Sequence, residues 1–113
     1  MQNLINLVQG DTGPNITLVL YDATTGIPVD FSATGSSVKM HVREEEQSGT
    51  PVVTTITGIK ANGGADGVVT FVWPYGSLSN VGYYEGEVEI TLDSGTKETV
   101  PDKLRFYVRE QIA

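Results

Sequence analysis

Residues Tyr83 to Gly95 read YYEGEVEITLDSG and set Glu85, Glu87 and Glu89 at every second position. In a β-strand successive side chains point to opposite faces, so the three carboxylates share one face. Tyr84, Val88, Ile90 and Leu92 then share the other, which is apolar enough to lie against a core. DSG supplies a short hairpin turn, with Gly95 free to take a positive φ. The next segment, 97–109, is therefore expected to pair back onto 83–92. Pro101 lacks an N–H, which predicts an edge position or a bulge partway along it.

Turn signals divide the remaining chain at similar intervals: GDTGPN, DATTG, SATGSS, EEQSG, ANGGADG and PYGSLSNVG. Between them lie NLINLVQ, ITLVLYD, SVKMHVR, TPVVTTIT and VVTFVW. Together with the two segments above this gives about seven strands, the pattern of an antiparallel sandwich or barrel. No segment keeps a helical i, i+3, i+4 spacing, and YGSLS is long enough for a single helical turn only. The expected fold is an all-β, immunoglobulin-like antiparallel sandwich, with residues 1–113 forming one domain.

Parity assigns the core. Ile16, Leu18 and Leu20 point inward, as do Val38, Met40, Val42, Val69, Phe71, Trp73, Leu104, Phe106 and Val108. TPVVTTIT stays ambiguous, because either Val52 with Ile56 or Val53 with its threonines fits the interior. Tyr84 has the parity of a tyrosine corner, in which the phenol bonds back to nearby backbone at the start of this strand. Gly86 leaves room for a large ring to approach.

The glutamates need neighbours, since like charges in a row repel. An immunoglobulin-like order puts 83–92 between the VKMHV strand and the last strand. Their outward residues are Lys39, His41 and Arg43 on one side and Arg105 and Arg109 on the other, so an acidic strand lies between basic ones. Four of the seven Lys and Arg residues fall at these positions. Cross-strand charge pairs of about 0.2–1 kcal/mol each then fix register, with Glu87 and Arg105 expected to be coupled. The opposite sheet shows Thr17, Val19, Tyr21, Val68, Thr70 and Val72 on its outer side. That uncharged, apolar face is the candidate protein interface.

Enzyme chemistry finds little to use. The glutamate row is flat, exposed and flanked by cations, whereas a general acid needs a desolvated carboxyl in a cleft. His41, the only histidine, lies between Lys39 and Arg43. Asn62 and Asp66 in ANGGADG lack the ordered oxygen ladder of a calcium loop, and the Glu44–Glu46 run reads as a solvated hairpin tip. The glycine-rich turns supply no phosphate-binding lysine ahead of a helix. We therefore expect no enzyme, metal or cofactor. A net charge of −7 argues against nucleic acid and anionic membranes as partners. The absence of cysteine permits assembly in a reducing cytoplasm. The start, MQNLINLVQGDTG, lacks the form of a secretion signal.

Taken in order, GDTGPNITLVLYD, GIPVDFSATGSSVKMHVRE, GVVTFVW, VGYYEGEVEITLDSGTKETVPDK and LRFYVRE resemble a known family. It is the immunoglobulin-like domain of bacteriophage baseplate upper proteins and related small phage virion proteins, matched from about Gly10 to Arg109. The resemblance implies a virion structural protein of the tail, baseplate or head–tail connector, assembled in the bacterial host cytoplasm. Its partners would be other phage virion proteins in a symmetric assembly, and no catalytic residue carries over. With the chain ending at Ala113, a freestanding adaptor is the expected form. A capsid decoration protein is one rival reading. A carbohydrate-binding module is another, using Tyr21, Tyr75, Tyr83 and Tyr107 as its aromatics.

Overall fold

Alternation of inward and outward side chains governs the architecture. The computed structural model describes residues 4–22, 25–45, 52–100 and 103–112, and for 52, 53, 61 and 62 the backbone alone. Among these residues run nine strands: β1 (Leu4–Val8), β2 (Ile16–Val19), β3 (Ser37–Glu44), β4 (Val52–Thr57), β5 (Ile59–Lys60), β6 (Val68–Phe71), β7 (Gly82–Thr91), β8 (Lys97–Thr99) and β9 (Leu104–Arg109). Ala61–Gly64 forms one turn of 3-10 helix. No helix among the described residues is long and apolar enough to cross a membrane.

The strands form two sheets. The larger has the order β1-β9-β7-β3-β4, with β8 also paired to β7, and the smaller has the order β2-β6-β5. The neighbours expected for the acidic strand are the ones found: β7 lies between β3 and β9. Every inward residue named above on β3, β6 and β9 is buried or half-buried, and one apolar cluster joins both sheets. Ile56 resolves the ambiguous segment, because it faces Met40 across β3 and β4 and is buried. A bulge between Val42 and Arg43 is what blurred the alternation there.

Three features depart from expectation. β1 pairs parallel with β9, so the large sheet is not wholly antiparallel. The last strand is two pieces, β8 against Glu89–Thr91 and β9 against Gly82–Gly86, with a slip in register between them. Pro101 lies outside the described residues. Finally, Ile59–Lys60 adds a strand that no turn signal announced. The chain leaves β4 in the large sheet and enters β5 in the small one through Gly58 alone, whose N–H donates to Val38 O. A Cβ at Gly58 would fall 2.3 Å from Val69 Cγ2, so the crossing needs the smallest residue.

Aromatic rings tie the sheets together. Trp73, just past β6, meets Phe106 of β9 edge to face, centroids 5.2 Å apart at 86°. The Trp73 indole N–H is buried and meets no acceptor among the described residues. Gly86 provides the notch for Phe106: a Cβ there would lie 3.0 Å from Phe106 Cε2. The tyrosine corner is present, with the Tyr84 hydroxyl donating to Asn80 O at 2.6 Å. Burial, reinforced by the charge of Glu44, pushes the Tyr84 phenol above its ordinary pKa.

Candidate functional sites: a charged face and an uncharged one

The outer face of the large sheet is built by register. Lys39 lies opposite Glu89, His41 opposite Glu87 and Arg43 opposite Glu85 across β3 and β7. Glu85 also lies opposite Arg105 across β7 and β9. The side chains choose among these neighbours. Arg43 Nε donates to Glu85 Oε1 at 2.7 Å, and Lys103 Nζ lies 3.5 Å from Glu85 Oε2. His41 Nδ1 bonds the Thr55 hydroxyl at 2.9 Å, while its Nε2 lies 3.6 Å from Glu89 Oε1.

Arg105 does not couple to Glu87 as the sequence suggested. It reaches past its own strand to Glu45, Nε to Oε2 at 2.7 Å and Nη2 to Oε1 at 2.8 Å. Glu45 is therefore not a freely solvated residue of the hairpin tip. The Arg105 guanidinium also lies over the Tyr83 ring at 4.7 Å, a cation–π contact. Arg109 donates to Glu110 O instead of a carboxylate. Lys39, Glu87 and Arg109 form no ion pair with a described residue.

The hydrogen bonds from Arg105 hold the Glu45 carboxyl below the ordinary glutamate range, against a smaller opposing effect of burial. A carboxyl with a lowered folded pKa stabilises the fold above its unfolded pKa. That contribution disappears as the pH falls through the folded value. We expect Glu45→Gln to flatten the loss of thermal stability between about pH 5 and pH 3 relative to the parent chain. Parallel acid profiles of the two proteins would contradict the pairing.

His41, Arg43, Glu85, Gly86, Glu87 and Lys103 surround an open depression of about 170 Å³. Two of its charged or basic groups are already engaged: Glu85 is neutralised by two cations, and His41 is tied to Thr55. Among the described residues no cluster of three or more His, Cys, Asp or Glu is placed to hold a metal ion. Asp66 Oδ1 accepts from Val68 N, closing the ANGGADG turn. The Asn62 side chain lies outside the described residues. Of the tyrosines, Tyr83 and Tyr107 pack on one another with centroids 4.8 Å apart at 48°, whereas Tyr21 follows β2 of the other sheet and bridges to Pro28, so these three do not form one flat aromatic strip.

The outer face of the small sheet is different in kind. Thr17 faces Thr70 and Val19 faces Val68 across β2 and β6, and Ile59 of β5 faces Thr70 from the other side. The Thr17 and Thr70 hydroxyls lie 3.0 Å apart in a hydrogen bond. Val19 is 44% exposed, Tyr21 60%, Ile59 58% and Val72 41%, whereas Val68 and Thr70 are half-buried. All six residues expected on this face thus belong to β2, β6 or the stretches that continue them. Ile59 is the addition that sequence reasoning missed. The signal for it was Gly58, a break in the alternation two residues after buried Ile56. Lys60 does not bring a charge to the face, since its Nζ is drawn to Ala33 O and Ser36 Oγ at the margin.

No family model matches the sequence, and no curated protein matches it. Among solved structures the chain is similar to CopC from Methylosinus trichosporium OB3b. The TM-score is 0.52 at 12% identity, covering 96% of this chain and 86% of that one. At this identity the likeness is one of fold. It corrects the expectation drawn from the phage-like motifs, because a β-sandwich from outside that family shares the architecture and no phage family matches. The virion location goes with it, as do the tail, baseplate, connector, capsid-decoration and carbohydrate-binding readings. The physical reason is visible in the motifs themselves. GYY is the tyrosine corner, SGT a hairpin turn and GVVTF an alternating strand, so the ordered set reports sandwich construction and not ancestry.

Proposed function

We propose that the chain is a non-enzymatic protein-binding module, and that the outer face of β2, β6 and β5 docks an apolar surface of a partner protein. The contrast between the two outer faces carries this reading. One sheet covers itself with charges of both signs, several of them paired, and the other displays Val19, Tyr21, Ile59 and Val72 without a charge among them. A contiguous uncharged patch of this kind is a common mark of protein contact. The net charge of −7 selects for a partner whose apolar patch is rimmed by basic residues, which speeds encounter and disfavours acidic competitors.

The face can be tested with a photo-crosslinking residue at Val72, compared with one at Glu87 on the other sheet, in the cells that make the protein. Capture is expected from Val72 and not from Glu87. It should be lost in an Ile59→Lys background whose stability changes by no more than about 0.5 kcal/mol. Equal capture from both faces, or capture indifferent to Ile59→Lys, would defeat the proposal.

A further inference from the structure

Among the described residues the small sheet ends on β2 without a further strand. Leu20 N donates to Gly67 O, continuing the β2–β6 register in which Leu18 faces Val69 and Ile16 faces Phe71. Antiparallel pairs alternate between hydrogen-bonded and non-hydrogen-bonded residues. The backbone groups of Ile16 and Leu18 therefore point to β6, those of Leu20 turn the same way to Gly67 and Val29, and those of Thr17, Val19 and Tyr21 point to the open side. The Thr17–Thr70 hydroxyl contact fits this assignment, because side chains of non-hydrogen-bonded pairs lie closer together. No described strand occupies the open side. β1, which could have covered it, joins β9 in the other sheet.

Edges of this kind are usually guarded by lysine, proline or an inward charge. Ile16–Tyr21, ITLVLY, contains none of these. Leu18 points inward yet is only half-buried, unlike Ile16 and Leu20 on either side of it. The edge thus offers unused backbone donors and acceptors beside an incompletely covered apolar side chain.

We infer that β2 pairs antiparallel with β2 of a second copy, joining the two small sheets into one across a two-fold axis. The register follows from parity. Val19 lies opposite Val19 of the second copy and Thr17 opposite its Tyr21, each exchanging N–H and C=O with its mate. Leu18 then lies against Leu20 of the second copy, which completes its burial. A second copy is favoured over a foreign strand because the seam is self-complementary. Each chain carries −7, yet no charged residue from Ile16 to Tyr21 is brought against its like. The backbone carries this pairing, and it stands independently of the face proposed above, which the two-fold would double in extent.

Sedimentation velocity over a wide concentration range tests the pairing. The parent chain is expected to show a reversible monomer–dimer equilibrium. Val19→Pro removes an N–H that the register turns to the open side and away from β6, so it should keep the far-UV spectrum while weakening the dimer at least about tenfold. Val19→Lys, which sets two ammonium groups opposite each other, should do the same and decides the matter if the proline variant does not fold. Ile59→Lys, on the face but away from the seam, should leave the dimer intact. A parent chain that stays monomeric to its solubility limit overturns the inference. So does a dimer that survives Val19→Lys, or one that is lost in Ile59→Lys and kept in the folded Val19 variants.

Discussion

Phe106→Ala is expected to cost about 3–5 kcal/mol of folding stability, the range for truncating a buried aromatic. Phe106 is fully buried on β9, faces Tyr84 across β7 and meets Trp73 of the opposite sheet. The ring also fills the notch left by Gly86, so its removal opens a void against a strand held on both sides by partners. Neighbours so constrained collapse poorly into a cavity, which places the cost toward the upper part of the range. Domains of this size hold only about 5–15 kcal/mol in total. The midpoint of thermal unfolding should fall by at least about 10 °C. Urea titration and calorimetry measure both quantities, and a loss below about 1.5 kcal/mol would show that Phe106 is not the central contact between sheets.

Gly67→Ala is the second large effect, and its origin is the backbone. Gly67 has φ +76°, and a Cβ there would lie 2.6 Å from Leu20 O and 3.2 Å from Val29 N. Those two atoms are hydrogen-bonded to one another at 2.8 Å, so there is no flexible side chain to yield. The left-handed conformation costs about 1–2 kcal/mol for alanine, and the forced shift adds about 1–3 kcal/mol. Gly95 gives the comparison. It has φ +93° but nothing near its missing Cβ, so Gly95→Ala should show the conformational cost alone. Equal destabilisation by the two substitutions would mean that the contact at Leu20 O relaxes without cost. Because Tyr21 follows Leu20 directly, Gly67→Ala should also disturb the end of the uncharged face.

Strand parity made most of the interior legible, since a period of two leaves little choice once one face is apolar. It fails where the period itself is interrupted. The bulge at Val42/Arg43 hid the orientation of β4, and the single-residue crossing at Gly58 hid β5 and with it Ile59. The parallel pairing of β1 was beyond reach because hydrophobic alternation carries no strand direction. On the charged face an acidic strand lies between two that carry basic residues, but the side chains choose other partners than the ones expected. Register fixes which Cα atoms are opposed, whereas a long side chain such as Arg105 can bypass the facing carboxylate for a better-placed one at Glu45. Function was the least legible, because the motifs that suggested a phage family are the working parts of any sandwich of this construction.

The chain has a single tryptophan, and Trp73 sits where the two sheets meet, shielded from solvent with its indole N–H unbonded to any described residue. Its fluorescence is thus a built-in gauge of the seam between the layers: short-wavelength emission while they are closed, and a red shift once water reaches the ring. Parting of the sheets can be followed on the native chain, with no dye attached.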